Sequence, residues 1–286
     1  MSYTNQSYLY IAKALSPVHS GGARGNSIAD FAIQKEARDN VPKIDSSSWK
    51  GSVLNNISSK AIIKKDNNNI FYDLVFSDLK LLFFPVRSSS QSFLLVTSFE
   101  RLETLLALLK ASEVQDSDRI IKSLEITLKD RRYYSEKDVI HYSERKFLNL
   151  GHYSYPMKSF REASLDALKI LADFIEQPTN KIVIMPHVDF IDMVNYELEY
   201  VTRVRLNEDR VSVEQNLLVE EYLPEESILY GFITHFYNIL KTSEENNSEQ
   251  FMKQEIPHTV QIGKNSILGK GMIKLERWEN REWKVE

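Results

Sequence analysis

The chain contains no cysteine. Disulfide bonds, thiolate zinc sites and cysteine nucleophiles are therefore excluded. Its six histidines, at positions 19, 141, 152, 187, 235 and 258, show no metal-binding spacing such as His-Glu-x-x-His. A structural metal ion is not expected.

Long apolar runs are also lacking. No segment approaches the roughly 20 apolar residues that span a bilayer, and residues 1–7 lack the charged and apolar regions of a signal peptide. We therefore expect a cytoplasmic protein with no membrane association. The formal net charge of −4 is not that of a protein that binds nucleic acid through its bulk charge. Any contact with nucleic acid must use local basic positions.

The apolar content is sufficient for a large core. With 286 residues, of which 42% are hydrophobic and 27% charged, the chain can form one elaborated domain or two small ones. Strand and helix patterns are mixed without a regular βαβ rhythm. This favours an α+β fold with an antiparallel sheet over a doubly wound fold.

Strand and helix signals alternate irregularly in the first 110 residues. A helix is predicted after the serines at 46–48. Another is predicted over Phe99 to Lys110, where Thr97 and Glu100 form a capping box and the leucines at 102, 105, 106 and 109 lie on one face. Strands are predicted at 8–15, 71–76, 79–84, where Pro85 ends the strand, and 93–96, with a turn at 64–69.

The segment from 111 to 151 is rich in charge and shows no clear strand, which indicates a helical or loop-rich insertion. The remaining signals are an amphipathic helix over 159–176, a buried strand over 181–186, a helix from Asp189 and an exposed acidic loop at 243–250. Residues 200–206 and 211–222 flank a polar tip at 207–210 and predict a β-hairpin.

Two glycine-rich loops lie near opposite ends of the chain, at 15–25 and 261–271. Glycine permits positive φ and close backbone approach, so such loops commonly offer N–H groups to anions, and two of them suggest a ribose-phosphate track. The second loop is not a Walker motif, because five residues separate Gly263 from Gly269 and glycine follows Lys270. The alternative is a plain cluster of turns at a sheet edge.

Asp30 follows the first loop among small and apolar neighbours. Its carboxylate could accept a proton from a ribose 2′-hydroxyl or hold a hydrated divalent ion, or it could simply cap a turn. His19, on the same loop, could act as an acid or base or merely donate a hydrogen bond to the backbone.

Basic candidates are few. Lys50 lies near a predicted helix N-terminus, where a cation and backbone amides would together favour a phosphate. Arg203 and Arg205 alternate with Val204 and so project from one face of the predicted hairpin. Each of these residues could equally be an ordinary surface cation.

In order and spacing, several segments together resemble the backbone RAMP proteins of type III-B CRISPR effector complexes. They lie at 15–21, 30–36, 48–51, 76–87, 202–206, 220–224 and 263–271. The match is poor from 111 to 181. The resemblance implies an α+β fold with a ferredoxin-like (RRM-like) palm at 1–110 and 182–286, a helical insertion at 111–181 and a β-hairpin thumb at 200–222, within a single RAMP domain.

The resemblance also implies function. Copies stack in a helical filament along a CRISPR RNA, together with the other subunits of the type III-B (Cmr) complex, and the thumb flips a base pair of the guide–target duplex. Complementary single-stranded target RNA is then cut at regular intervals by attack of a 2′-hydroxyl, which excludes DNA as a substrate.

The residue matching the family's catalytic aspartate is Asp30, with a divalent metal ion, expected to be Mg²⁺, bound there. His19 is implied as a second catalytic residue, and Glu221 as support for the fold or the metal. The residues implied in holding guide phosphates are Lys50, Arg203, Arg205, Gly263, Gly269, Lys270 and Gly271.

Ala32 replaces the proline usual two residues after this aspartate, and Arg24 interrupts the preceding loop. Either change could alter loop rigidity and cleavage rate. Two other functions stay open: a filament subunit that binds RNA without cutting it, and a stand-alone enzyme that processes precursor CRISPR RNA.

Overall fold

The computed structural model describes residues 3–22, 29–56, 74–143, 145–206, 212–238 and 256–278. Arg24, the predicted turn at 64–69, the hairpin tip at 207–210 and the acidic loop at 243–250 lie outside the described residues.

The described residues form an α+β fold, as the sequence predicted. The helices are α1 (Ser46–Asn56), α2 (Phe99–Ala111), α3 (Asp118–Lys129), α4 (Leu165–Phe174) and α5 (His187–Tyr196). The first strands are β1 (Tyr3–Ala14), β2 (Lys43–Ile44), β3 (Leu74–Phe76), β4 (Leu79–Arg87), β5 (Phe93–Thr97), β6 (Val139–His141) and β7 (Phe147–Leu150). The later strands are β8 (Tyr153–Lys158), β9 (Ile182–Ile184), β10 (Glu199–Leu206), β11 (Ser212–Tyr222), β12 (Ile228–Asn238), β13 (Thr259–Gln261) and β14 (Met272–Arg277).

One large sheet has the order β13-β14-β1-β12-β4-β5-β9-β6-β8-β7, with β2 paired to β4 and β3 to β12. Most of its pairs are antiparallel, as predicted, but β5–β9 and β6–β8 are parallel. Strands β10 and β11 form a separate two-stranded hairpin, which confirms the predicted hairpin.

Strand β1 divides the hydrophobic core in two. Because successive side chains of a strand point to opposite faces, Tyr8 and Tyr10 join the cluster that contains Trp49 of α1, whereas Leu9 and Ile11 join the cluster that contains the leucines of α2. Helices therefore cover both faces, and the middle of β1 is buried on each side.

The predicted leucine stripe of α2 faces the second cluster, but its N-cap differs from the prediction. The Ser98 side chain, not Thr97, accepts a hydrogen bond from the Arg101 amide. Thr97 is instead the last residue of β5 and is buried. Two adjacent hydroxyl residues made the register of the cap ambiguous in sequence.

Three further predictions need correction. Strand β4 does not end at Pro85, which pairs with Leu95 within the sheet. The segment 111–151 is not free of strands, because β6 and β7 lie within it and belong to the main sheet. The helix predicted from 159 begins only at Leu165, after a 3₁₀ turn at Glu162–Ser164.

Within the described part of the chain, no helix is both long and apolar enough to cross a membrane.

Candidate functional site

Asp30 lies at the base of the β10–β11 hairpin. Its neighbour Phe31 pairs with β11, donating its amide to the Val219 carbonyl (3.2 Å) and accepting from the Glu221 amide (3.0 Å). The Asp30 carboxylate accepts a further bond from the Val219 amide (Oδ2 to N, 2.8 Å). The side chain is exposed. The hairpin thus holds a carboxylate that remains accessible to a large ligand.

His19 lies beneath this surface and is 0% exposed. Its Nδ1 is 2.7 Å from the carbonyl oxygen of Glu221. Because a carbonyl can only accept, Nδ1 carries the proton. Nε2 is buried and has no hydrogen-bond partner among the described residues. This burial favours the alternative in which His19 supports the backbone of β11 rather than acting as a surface acid or base.

Glu221 joins the same loop to the hairpin. Its carboxylate is almost fully buried and accepts from the Ile33 amide (3.0 Å), Lys35 Nζ (2.9 Å) and the Tyr200 hydroxyl (3.2 Å). Burial, together with the Glu221 charge, raises the pKa of the Tyr200 phenol. Both carboxylate oxygens are used, so this geometry favours support of the fold over metal binding.

A second polar network, here called the hairpin-base cluster, consists of Arg203, Glu220, Tyr222 and Asn265. Glu220 Oε2 accepts from Arg203 Nε (2.7 Å), the Tyr222 hydroxyl (2.7 Å) and Asn265 Nδ2 (3.0 Å). Asn265 Nδ2 also lies 2.7 Å from the Tyr222 hydroxyl. Burial raises the pKa of this phenol, and the bond to Glu220 adds to the rise.

This cluster changes the interpretation of Arg203, whose partly exposed guanidinium is paired with the carboxylate of Glu220. A phosphate would have to share the guanidinium with that carboxylate. Sequence reasoning missed Glu220, Tyr222 and Asn265. The one available signal was the alternation along β11, which places Glu220 and Tyr222 on one face.

The two glycine-rich loops contact each other. The Lys264 amide donates to the His19 carbonyl (3.1 Å), and the Gly271 amide donates to the Pro17 carbonyl (2.9 Å). Gly263 has φ +88°, and a Cβ there would lie 2.1 Å from the His19 carbonyl oxygen. Gly263 is therefore required for close packing of one loop on the other.

The prediction that the C-terminal loop offers its amides to an anion is wrong at five positions. The amides of Lys264, Leu268, Gly269, Lys270 and Gly271 all donate to carbonyl oxygens of the protein. The sequence could not show this, because the acceptors of two of these amides belong to the first loop. Whether Gly263, Gly269, Lys270 and Gly271 contact RNA by other groups stays a prediction.

Two lysines of the C-terminal loop place their ammonium groups over aromatic rings near the hairpin base. Lys264 Nζ lies 4.4 Å from the centroid of the Phe31 ring, and Lys270 Nζ lies 5.4 Å from that of Tyr222. Burial raises the pKa of Glu199, and the Lys270 charge opposes this rise. Lys264 was not among the predicted site residues. Its spacing of six positions from Lys270 was its only sequence signal.

Lys50 contacts β3, and Arg205 lies at a break in the hairpin register. Lys50 lies in the second turn of α1, where its Nζ donates to the Leu74 carbonyl (3.1 Å) and lies 5.5 Å from the Phe76 ring centroid. Arg205 lies at a register shift between Val204 and Leu206, which interrupts the alternation used to pair it with Arg203. Its side chain is outside the described residues.

Residues after Asp30 are anchored to the core by Arg101, which is 1% exposed. Its NH2 group donates to Glu36 Oε1 (2.7 Å) and to the Leu81 carbonyl (2.6 Å). Asp39 Oδ2 lies 3.7 Å from NH1. A buried arginine thus fixes the loop that returns from the site to β2.

The described residues contain no group of three or more histidine, aspartate or glutamate side chains that could hold a metal ion. Asp30 alone suits an ion of the Mg²⁺ type only if most other ligands come from water and a bound phosphate, which is how Mg²⁺ often binds in phosphoryl-transfer sites.

The fold combines a large mixed sheet, a separate hairpin and two glycine-rich loops in contact. The model of the RAMP superfamily matches residues 11–274, so the chain belongs to that superfamily. The chain is similar to the CRISPR system Cmr endoribonuclease Cmr4 of Pyrococcus furiosus, with 27% identity over 94% of this chain and 95% of that protein.

Solved structures agree with this fold. A structure of the type III-B Cmr-beta complex bound to cognate target RNA contains a chain that is 18% identical, with a TM-score of 0.75 over 95% of this chain and 96% of that one. Oligomeric Cmr4 from Pyrococcus furiosus is 21% identical, with a TM-score of 0.69 over 96% and 100%. The resemblance inferred from sequence is confirmed.

Proposed function

We propose that this protein is a guide-RNA-binding backbone subunit of a type III-B CRISPR complex that cleaves complementary target RNA at regular intervals. Its copies assemble on a CRISPR RNA with the other Cmr subunits, in the cytoplasm. In this proposal the main sheet contains a ferredoxin-like palm and β10–β11 is the thumb. The similarity to an endoribonuclease over nearly the whole chain supports the proposal.

The exposed carboxylate of Asp30 at the hairpin base is the observation that carries the proposal. Its bond to the Val219 amide couples its position to β11, so a hairpin inserted into a duplex would carry the carboxylate with it. Lys264 beside Phe31 supplies positive charge for the backbone of a bound strand.

In the proposed reaction, the 2′-oxygen of the target attacks the adjacent phosphorus and the bond from phosphorus to the 5′-oxygen breaks. The products are a 2′,3′-cyclic phosphate and a free 5′-hydroxyl, and the proton lost by the 2′-hydroxyl is balanced by the one gained by the 5′-oxygen. Asp30 accepts the hydrogen bond of the 2′-hydroxyl and orients it. Because A-form geometry keeps the 2′-oxygen out of line, displacement of one nucleotide supplies the alignment.

A divalent ion, Mg²⁺ in this proposal, would be held by Asp30 together with RNA oxygens and water, and would stabilise charge on the phosphate. Glu221 supports the fold, because its oxygens are already bonded to Ile33, Lys35 and Tyr200. His19 holds the backbone of Glu221 in place.

The test reconstitutes the complex with guide RNA and a complementary target. Asp30→Asn should abolish the discrete cuts while target binding is retained. The matched control is Asp166→Ala, whose carboxylate on α4 is 92% exposed and should be dispensable. A target with one 2′-deoxy nucleotide should lose only the cut at that nucleotide. Cuts by Asp30→Asn at the wild-type rate would refute the assignment of Asp30.

A second candidate function, an RNA-binding filament subunit without cleavage, is favoured by the absence of a three-ligand metal group in the described part of the chain. Under this alternative, wild type and Asp30→Asn would bind the target equally and neither would cut it. A stand-alone processing enzyme would instead cut a repeat hairpin as an isolated chain.

A further inference from the structure

The C-terminal glycine-rich loop presents two large apolar side chains to solvent. Ile267 is 97% exposed and Leu268 is 61% exposed. They belong to the 3₁₀ turn Ser266–Leu268; these two side chains are called the apolar tip below. A single exposed apolar residue is ordinary, but two adjacent ones at the end of a projecting turn need a reason.

The turn that bears the apolar tip is held firmly. It is bracketed by Asn265 (φ +66°) and Gly269 (φ +74°), both left-handed. The Asn265 carbonyl accepts from the Leu268 amide at 2.9 Å, and Gln261 Nε2 donates to the carbonyls of Ser266 (3.0 Å) and Lys270 (2.8 Å). The backbone polar groups are directed inward, so this conformation displays the apolar side chains in a fixed place.

The turn that bears the apolar tip is connected to the segment that contains Asp30. Asn265, next to the turn, bonds to Glu220 in the hairpin-base cluster (3.0 Å). The backbone of Glu220 is bridged to Phe31, the neighbour of Asp30. The apolar tip is therefore linked to the Asp30 segment by one side-chain bond and one backbone bridge.

Charge around the apolar tip indicates the kind of partner. Lys264 and Lys270 lie on its two sides in sequence, and their ammonium groups rest over Phe31 and Tyr222. An apolar projection next to two lysines suits a guide–target duplex, in which guide phosphates meet the lysines and a displaced target base meets the aliphatic side chains. Leucine and isoleucine are among the residues that unstack bases by insertion.

We propose that Ile267 and Leu268 form a wedge that packs against a nucleobase of the target strand beside Asp30 and helps to hold that nucleotide out of the stack. This inference rests on the proposed function and adds a second contact to the distortion attributed to the hairpin. The wedge residues are positioning residues, since they act on the base and not on the reacting atoms.

The test compares Ile267→Ala/Leu268→Ala with Ile126→Ala, which removes an aliphatic side chain that is 43% exposed on α3. In the reconstituted complex, the double variant should cleave at least about tenfold more slowly at saturating target, because unstacking a base requires stabilisation from the wedge. Target affinity should change less than about threefold, since the phosphate contacts remain. The control variant should match wild type.

A readout that does not depend on cleavage separates the two proposals. A target with 2-aminopurine at the displaced position should fluoresce strongly in complexes made with Asp30→Asn, and adding Ile267→Ala/Leu268→Ala should reduce that signal. If wild type never cuts, the proposed function fails, but this fluorescence still tests the wedge.

A target with an abasic nucleotide at the displaced position provides a second test of the wedge. Without a base to move, the wedge has no role, so the double variant should cleave the abasic target at the wild-type rate. Unchanged fluorescence, unchanged cleavage of the normal target or failure of this rescue would each overturn the wedge. Loss of self-association by the double variant without RNA would overturn it too, because the apolar tip would then dock on another copy.

Discussion

Replacing Glu221 by alanine is expected to destabilise the fold by about 3–5 kcal/mol, as is typical when one partner of a buried ion pair is removed. Its carboxylate takes three hydrogen bonds, and the variant would leave the Ile33 amide and Lys35 Nζ without their acceptor. An unsatisfied buried donor alone costs about 1–3 kcal/mol. For a chain of this length, the melting temperature should fall by roughly 6–10 °C.

Thermal unfolding followed by circular dichroism measures this effect on the purified chain. Asp30→Ala is the matched control, because Asp30 is exposed and makes one described side-chain bond, to the Val219 amide. That variant should lose about 1 kcal/mol at most. Glu221→Gln retains an acceptor and should lie between the two.

Comparing the stability of the Glu221→Ala variant with its cleavage activity also distinguishes the two predicted roles of Glu221, support of the fold and binding of the metal. If Glu221 supports the fold, cleavage by complexes that contain the alanine variant should recover at low temperature, where the variant is folded. A variant that melts like wild type but never cleaves would refute the structural role and point to metal binding.

Other perturbations give equally direct tests. Gly263→Ala should lower the melting temperature more than Gly269→Ala, because a methyl group at 263 meets a carbonyl oxygen whereas position 269 has open space and only a left-handed φ, worth about 1–2 kcal/mol; equal effects would contradict the packing argument. Arg101→Met should lower the free energy of unfolding by about 3–5 kcal/mol, because Glu36 would lose its buried partner and be left with Lys80 at 3.6 Å; a neutral result would refute that anchor. Burial lowers the pKa of His141 in the folded protein. Its contribution to stability is therefore complete above the unfolded pKa of about 6.5, and it is lost as the pH falls from there through the lower pKa of the folded state. His141→Asn should therefore flatten the fall in melting temperature between pH 7.5 and pH 5, and parallel curves for variant and wild type would contradict this.

Local patterns predicted much of the fold. Three signals were sufficient to predict their elements, because each is contained in one segment of the chain. They are the apolar spacing of α2, the apolar run at 181–186 that became β9, and the alternation of β10 and β11. Strand β6 is only three residues long, which is too short for periodicity to distinguish it from a loop. The parallel pairing of β9 with β5 depends on partners distant in sequence.

The site was predicted less completely than the fold. The sequence indicated Asp30 as a candidate, and the structure shows that its side chain is exposed. It could not indicate that the glycine-rich loops satisfy each other's hydrogen bonds, or that Arg203 is paired with Glu220. Such facts follow from contacts between residues far apart along the chain, which no local pattern encodes.

The position of β1 in the sheet has a consequence for biosynthesis. Lys13 pairs with Ile228 on one side, and Ala14 pairs with Ile273 on the other. A ribosome that makes this protein therefore produces β1 long before either of the strands that pair with it. Because such distant pairings form slowly and leave apolar surface uncovered meanwhile, the nascent chain is expected to need chaperone protection until β12 and β14 emerge.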